Sequence, residues 1–158
     1  MKKFWSLGFI ILLLVSCATT KAIKETEKAV RGNWVLKTVT YDGAGSFKST
    51  LLQDVSASCF EGSEWSFVAN NNRGTYNITS NDCKTGERKF IWTVTGNKEI
   101  TGGEIHLKIT DKNYKSETNV GYKFEMTRIN EDSMSWSLLT SLNGKTINVN
   151  INFNKNSN

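Results

Sequence analysis

The chain has 158 residues, a formal net charge of +5 at pH 7, 12 glycines and no proline. Its charged residues of both signs are scattered without a basic block, which argues against nucleic acid as a partner. The length is enough for one domain with a buried core. Without proline, the turns must be formed by Gly, Asn and Asp.

The first seventeen residues have the pattern of an export signal. Two lysines precede an apolar run over residues 4–15, which is typical of a secretory signal peptide and too short to span a bilayer as a stable helix. Leu14-Val15-Ser16-Cys17 resembles a bacterial lipobox, which implies removal of residues 1–16 and attachment of acyl chains, including palmitate, to Cys17. The alternative is an ordinary signal peptide that ends near a cysteine.

The expected location is the bacterial cell envelope, with the chain anchored to a membrane through acyl chains on Cys17. Ala18 follows the cysteine, and the absence of aspartate at this position resembles the pattern of outer-membrane sorting. Residues 17–31 are polar and predict a tether. The folded domain is expected to span residues 32–154, followed by a disordered tail over residues 155–158.

From Gly32 onward the dominant hydrophobic period is two, which predicts β-strands. Asn143-Gly144 is a two-residue signal for a type I′ hairpin. Apolar residues occupy one strand face and polar residues the other, which predicts a barrel or sandwich with an apolar interior and argues against an outer-membrane barrel. Eight strands are predicted: Asn33–Tyr41, Cys59–Ala69, Gly74–Ser80, Arg88–Thr95, Glu104–Asp111, Asn119–Ile129, Ser133–Leu142 and Lys145–Asn154.

Cys59 and Cys83 are predicted to form a disulfide, because such bonds persist in exported chains. Each cysteine lies twelve residues from Asn71, so a hairpin that turns there brings the two opposite each other. A metal site is the alternative, but two cysteines without a nearby histidine provide too few ligands. Neither a metal nor a cofactor is predicted.

The strand that follows this turn has two possible orientations. Direct pairing of the two cysteines places Tyr76 and Ile78 on the polar face of the sheet. A one-residue bulge, for which Gly62 is a natural place, would turn both side chains inward, and we expect this bulge.

Gly32-Asn33-Trp34 opens the first predicted strand, and seven further strands follow. This pattern resembles the lipocalins, whose first strand begins with Gly-x-Trp, and in particular the small lipocalin-like lipoproteins of Bacteroidetes-type bacteria. The resemblance implies an all-β fold, an eight-stranded antiparallel up-and-down β-barrel. Lipocalins usually carry an arginine over the motif tryptophan near the end of the last strand, and residues 145–158 contain none. Arg128 lies on inward parity at the same end as Trp34 and could close that end through a cation–π contact or extend to solvent.

The resemblance also implies a ligand site in the barrel, where eight strands leave room for one small ligand at most. Residues 42–58 would cross the mouth as a lid pinned by the disulfide, or form a loop that buries Phe47 and Leu51 for stability. Four inward-facing tryptophans leave space only for a narrow aromatic pocket. Its candidate lining residues are Thr38, Phe90, Trp92, Ile109, Tyr122, Trp136, Thr140 and Ile147.

The sequence offers little support for catalysis. His106, the single histidine, falls on the outward face, whereas a nucleophilic triad needs a buried, oriented histidine. We therefore expect a non-catalytic, membrane-anchored protein that binds a small apolar or amphiphilic ligand. The alternatives are a solid-core module that binds a protein partner in the envelope, and an open sandwich whose last strand does not pair with the first.

Overall fold

Ten strands and two short helices make up the described part of the chain. The structure is a computed structural model, and it describes residues 21–42, 49–96, 103–116, 118–142 and 144–156. A helix over residues 21–30 precedes the strands, and a 3₁₀ helix spans Ala57–Phe60. The strands are β1 Gly32–Tyr41, β2 Thr50–Leu51, β3 Val55–Ser56, β4 Glu64–Val68, β5 Arg73–Ile78, β6 Gly86–Thr95, β7 Glu104–Thr110, β8 Tyr122–Ile129, β9 Ser133–Leu142 and β10 Lys145–Lys155.

Eight of these strands close into one barrel in the order β1-β10-β9-β8-β7-β6-β5-β4. Every neighbouring pair is antiparallel, and each barrel strand pairs with the next one along the chain. The predicted eight-stranded up-and-down barrel is therefore confirmed. The open sandwich is wrong, because β1 pairs with both β4 and β10.

The alternating pattern places one face of each strand inside the barrel, where aromatic rings fill the space. Trp65 lies at the centre and stacks on Tyr76, with ring centroids 4.7 Å apart. The edges of Phe153 and Trp136 also meet Trp65, at centroid distances of 5.5 and 6.0 Å. Offset and edge-to-face contacts of this kind stabilise a core beyond the apolar area that they bury.

Gly74 explains how the large ring of Phe90 fits on the neighbouring strand. The two residues are cross-strand partners, and a Cβ added to Gly74 would lie 2.3 Å from Cζ of Phe90. The absence of a side chain at Gly74 is therefore what allows the Phe90 ring to cover the adjacent strand.

The helix over residues 21–30 lies at the end of the barrel where β1 begins. Val30 is fully buried, and its carbonyl accepts a hydrogen bond from Nε1 of Trp34 at 2.8 Å. Ile23 also packs against the core. Part of the predicted tether thus covers this end of the barrel, which we call the closed end; the opposite end is the mouth. No helix among the described residues is long and apolar enough to cross a membrane.

One predicted strand begins too early. Residues from Cys59 onward were expected to be extended, but they enter the 3₁₀ helix and a turn in which Gly62 has a φ of 82°, and β4 begins only at Glu64. Trp65 then pairs with Tyr76. Tyr76 and Ile78 are buried inside the barrel, as expected, but the helical turn takes the place of a bulge within a continuous strand.

Other strand boundaries differ by a few residues at the ends of the barrel. β8 begins at Tyr122 instead of Asn119, and β6 begins at Gly86 instead of Arg88. Leu142 pairs with Lys145, so the predicted two-residue connection between the last strands is present, although Asn143 lies outside the described residues. The predicted leader, Cys17 and Phe47 also lie outside them.

Candidate functional site

A segment across the mouth covers part of the barrel interior. This lid, residues 49–63, contains the short strands β2 and β3 and the 3₁₀ helix. The ring of Phe60 lies 5.4 Å from that of Tyr76 and 6.2 Å from that of Trp65, so the lid continues the core upward. Its buried apolar side chains are Leu51, Leu52, Val55, Ala57 and Phe60.

A polar cluster joins the lid to the barrel wall. Nε of Arg88 lies 2.7 Å from Oδ2 of Asp54, and the two side chains are only 12% and 18% exposed. The hydroxyl of Tyr76 donates to the same carboxylate oxygen at 3.0 Å. Arg88 also donates to the carbonyl oxygens of Gly86 and Lys84. Asp54, Arg88 and Tyr76 thus form a nearly buried, hydrogen-bonded network, which we call the latch.

The latch has a clear effect on the phenol at its centre. Burial, together with the negative charge of Asp54 and the hydrogen bond to it, raises the pKa of Tyr76 above its ordinary value of 10.0. Tyr76 therefore remains a neutral donor to the carboxylate through the physiological pH range.

The predicted disulfide between Cys59 and Cys83 is present, with Cα atoms 5.9 Å apart. It ties the 3₁₀ helix of the lid to the connection between β5 and β6. The lid also contacts β1, where the hydroxyls of Tyr41 and Ser49 lie 2.6 Å apart. The bridge, the latch and this contact all fix the lid on the side of the mouth formed by β1, β5 and β6.

The lid turn carries backbone strain. Leu52 and Gln53 have φ values of 56° and 53°, a left-handed conformation that costs residues with a Cβ about 1–2 kcal/mol each. Burial of the Leu52 side chain compensates for this cost, because such outliers persist where the surrounding structure over-determines them.

On the other side of the mouth, four apolar side chains are not fully covered. They face the interior by strand parity at the upper ends of β7 to β10, yet each is only half-buried. Burial raises the pKa of the Tyr122 hydroxyl, one of the four. Directly below them, Phe124 and Val149 are almost fully buried. We call this incompletely covered group of side chains the mouth hollow, and its residues are Ile109, Tyr122, Leu138 and Ile147.

The structure divides the predicted pocket residues into three groups. Phe90, Trp92 and Trp136 lie deep in the core. Ile109, Tyr122 and Ile147 line the mouth hollow. They were predictable from the alternation of inward and outward residues, because no register shift separates them from the mouth end of their strands. Thr140, the partner of Ile147 at the rim, is exposed. Leu138 was missed, although it shares its inward parity with Trp136.

The predicted inward position of Thr38 is wrong. The register of β1 against β10 shifts between Leu36 and Thr38, so Thr38 is exposed on the outer face, where it accepts a hydrogen bond from Nδ2 of Asn152 at 3.1 Å. The irregularity instead brings Val39 and Tyr41 against the core.

The predicted inward position of Arg128 is also wrong. A register shift between Met126 and Arg128 pairs Arg128 with Ser135 and leaves it exposed. Lys155 occupies the place considered for Arg128: its Nζ lies 4.1 Å from the ring centroid of Trp34.

Lys155 closes the base of the barrel through two contacts, and Gly32 leaves room for its side chain. Besides lying over Trp34, its Nζ donates to the carbonyl oxygen of Arg31 at 2.7 Å. A Cβ on Gly32 would lie 2.9 Å from the same Nζ, so the glycine of the Gly-x-Trp motif makes room for the lysine. Burial and the nearby charge of Arg31 lower the pKa of Lys155. The sequence contained a signal for this role, because Lys155 has the same inward parity as Phe153.

The described residues offer little for chemistry. His106 lies on the outer face with Nε2 3.4 Å from Oε2 of Glu104. In the ranges that the structure describes, no group of three or more His, Cys, Asp and Glu side chains could hold a metal ion.

The barrel has the strand order that the resemblance to lipocalins implied, and its Gly-x-Trp end is capped by Lys155 instead of the arginine usual in lipocalins. The fold is lipocalin-like. No family model and no curated protein matches the chain. Among solved structures, the chain is similar to a lipocalin-like protein from Bacteroides uniformis at 14% identity, with a TM-score of 0.47 and coverage of 81% of this chain and 99% of that chain.

Proposed function

We propose that the protein is a membrane-anchored lipoprotein whose barrel binds one small apolar or amphiphilic molecule in the mouth hollow without catalysing a reaction. The mouth hollow carries this proposal. Its inward-facing apolar side chains are half-buried, as are Val39 and Tyr41 on the lid side of the mouth, whereas the aromatic residues in the middle of the barrel are almost fully covered. Preformed apolar concavities with a few polar groups are the usual form of small-molecule sites.

Binding would be driven by burial of apolar surface. A molecule that removes about 200 Å² of apolar surface from water gains about 5 kcal/mol at 25 cal/mol per Å². The latch and the disulfide fix the lid beside the hollow, so the ligand would not need to order this segment, and little of that gain would be lost. The Tyr122 hydroxyl and the exposed Thr140 at the rim would orient a polar group of the ligand.

The experiment uses residues 18–158 produced in a bacterial periplasm without Cys17. Native mass spectrometry of the purified protein is expected to show a reproducible excess mass that disappears on denaturation. The stripped protein is then titrated with N-phenyl-1-naphthylamine, a neutral apolar fluorophore, and we expect the emission of the probe to rise and that of the interior tryptophans to change.

Two neighbouring residues provide a matched pair of variants. Leu138 lines the hollow, whereas Leu139 points outward and is 63% exposed. Leu138→Gln is expected to weaken binding of the probe at least tenfold, while Leu139→Gln leaves it unchanged. Equal binding by both variants would place the probe elsewhere and refute the proposed site.

The lipid anchor has a separate test. The 158-residue chain and its Cys17→Ala variant are expressed with radiolabelled palmitate, and only the former is expected to carry label and to fractionate with the outer membrane. Label on the alanine variant, or its absence from the parent, would contradict the anchor without affecting the barrel site.

The second candidate function is a solid-core module that binds a protein partner in the envelope. The packing of Trp65 against Phe60, Phe67, Tyr76, Phe90, Trp136 and Phe153 favours it, because this packing fills the middle of the barrel. A bare mass in native spectrometry, together with unchanged tryptophan emission during the probe titration, would support this candidate over the first.

A further inference from the structure

The four described indole groups are not equivalent in their hydrogen bonding. Nε1 of Trp34 donates to the carbonyl oxygen of Val30, Nε1 of Trp65 to the hydroxyl of Ser63, and Nε1 of Trp92 to the carbonyl oxygen of Arg73. Trp136 is only 1% exposed, yet its Nε1 has no acceptor in the described part of the chain. A buried donor without a partner is costly and therefore requires an explanation.

The surroundings of Trp136 argue against a trapped water molecule as the missing partner. Its ring centroid lies 4.6 Å from that of Phe153 and 5.4 Å from that of Phe124, and its cross-strand partners are Ile151 and Met126. A buried water needs two to four polar partners, and these neighbours offer none through their side chains. A molecule that brings a single acceptor on an apolar body fits these surroundings better.

Trp136 lies directly below the mouth hollow. On β9 the next inward-facing residue toward the mouth is Leu138, which pairs with Val149, and above it Thr140 pairs with Ile147. Leu138 is half-buried although it faces inward, so the layer above the indole is only partly covered. A ligand that enters between Tyr122 and Ile147 would meet Leu138 first and Trp136 next.

We infer that the ligand carries a hydrogen-bond acceptor, such as a carbonyl, carboxylate or ether oxygen, at the end that enters the barrel first, and that this oxygen accepts the hydrogen bond from Nε1 of Trp136. This inference rests on the proposed function, because it assumes a ligand in the mouth hollow. It adds the chemical class of that ligand and the residue that selects it. A pure hydrocarbon would fill the hollow but leave the indole donor unpaired.

The test compares 2-octanone, which accepts hydrogen bonds but cannot donate them, with octane, which can neither accept nor donate them. Binding of each is measured on the stripped parent protein, on Trp136→Phe and on the control Trp92→Phe, whose indole already has an acceptor. The parent is expected to bind 2-octanone about tenfold more tightly than octane, corresponding to about 1.4 kcal/mol. Trp136→Phe is expected to abolish this preference, and Trp92→Phe to keep it.

A second measurement needs no substitution. In the parent labelled with ¹⁵N, the indole signal of Trp136 is identified by its contact with the Phe153 ring, and 2-octanone is expected to move its proton downfield while octane does not. A proton that is shielded by neighbouring rings and unmoved by 2-octanone would show an N–H···π contact instead, and would overturn the inference.

The outcomes distinguish failure of the acceptor inference from failure of the proposed binding site. Equal affinity for the two probes in the parent, with loss of both in Leu138→Gln, would overturn the acceptor inference and leave the apolar site intact. No binding of either probe would overturn both.

Discussion

Removal of the disulfide between Cys59 and Cys83 should lower the free energy of unfolding by an amount that depends on the length of the loop that the disulfide closes. The two cysteines are 24 residues apart in sequence, and the chain-entropy relation for a loop of this length gives about 3.4 kcal/mol at 25 °C. For a domain of this size the loss corresponds to a decrease in Tm of about 10–15 °C. The expected change is therefore large against a typical total stability of 5–15 kcal/mol.

The assay is equilibrium unfolding in urea, followed by the emission of the interior tryptophans. The parent without Cys17 is compared with Cys59→Ala/Cys83→Ala and with the parent under a thiol reductant, which leaves the side chains in place. Both treatments should give the same decrease in the free energy of unfolding. Hydrogen exchange at residues 57–60 should also rise in both, because the 3₁₀ helix loses its covalent attachment to the connection between β5 and β6. A decrease below about 1 kcal/mol in both would refute the reasoning.

Three further predictions concern the latch and the closed end. Tyr76 has a raised pKa in the folded protein, so its contribution to stability is fully present below pH 10 and is lost as the pH rises further, by up to about 1.4 kcal/mol per pH unit. The Tm measured between pH 8 and 11 should therefore fall more steeply for the parent than for Tyr76→Phe. Parallel curves would contradict this. Lys155→Met should lower the free energy of unfolding by about 1–2 kcal/mol through loss of the contact with Trp34, measured in urea, whereas Lys155→Arg should retain most of it; equal losses would mean that the cation is irrelevant. Gly32→Ala and Gly62→Ala both place a side chain at positive φ, but only the former meets another atom, Nζ of Lys155 at 2.9 Å. Thermal unfolding should therefore show the greater loss for Gly32→Ala, and the reverse order would refute the close contact.

Much of the barrel follows from simple alternation. The inward rows of β6, β7 and β9 were predictable because apolar and polar residues alternate along them, with one outward apolar residue in β6, Ile91, and one in β9, Leu139. The same parity rule failed at Thr38 and Arg128, because each follows a register shift. No glycine or proline at these two positions marks the shift, so it arises from strand pairing that a single strand does not encode.

The latch could not be predicted for a different reason. Tyr76 and Arg88 lie 22 and 34 residues from Asp54, and each is an ordinary strand or turn residue in its local sequence. Only closure of the barrel brings the three together. Cys59 and Phe60, the second half of the 3₁₀ helix, were predicted as strand because they are apolar and adjoin a genuine strand. The disulfide was predictable, since cysteine spacing about a turn is a local signal.

The arrangement at the base has a geometric consequence for anything joined to the barrel. The amide of Asn156 donates to the carbonyl oxygen of Asn33 at 2.9 Å, so the first and last strands leave the barrel side by side. Chain that precedes Gly32 and chain that follows Lys155 therefore emerge at the same pole, and a fusion or immobilisation at either position should leave the opposite pole free. Joining the two positions by a short linker and opening the chain in a mouth connection should give a permuted protein with the same barrel.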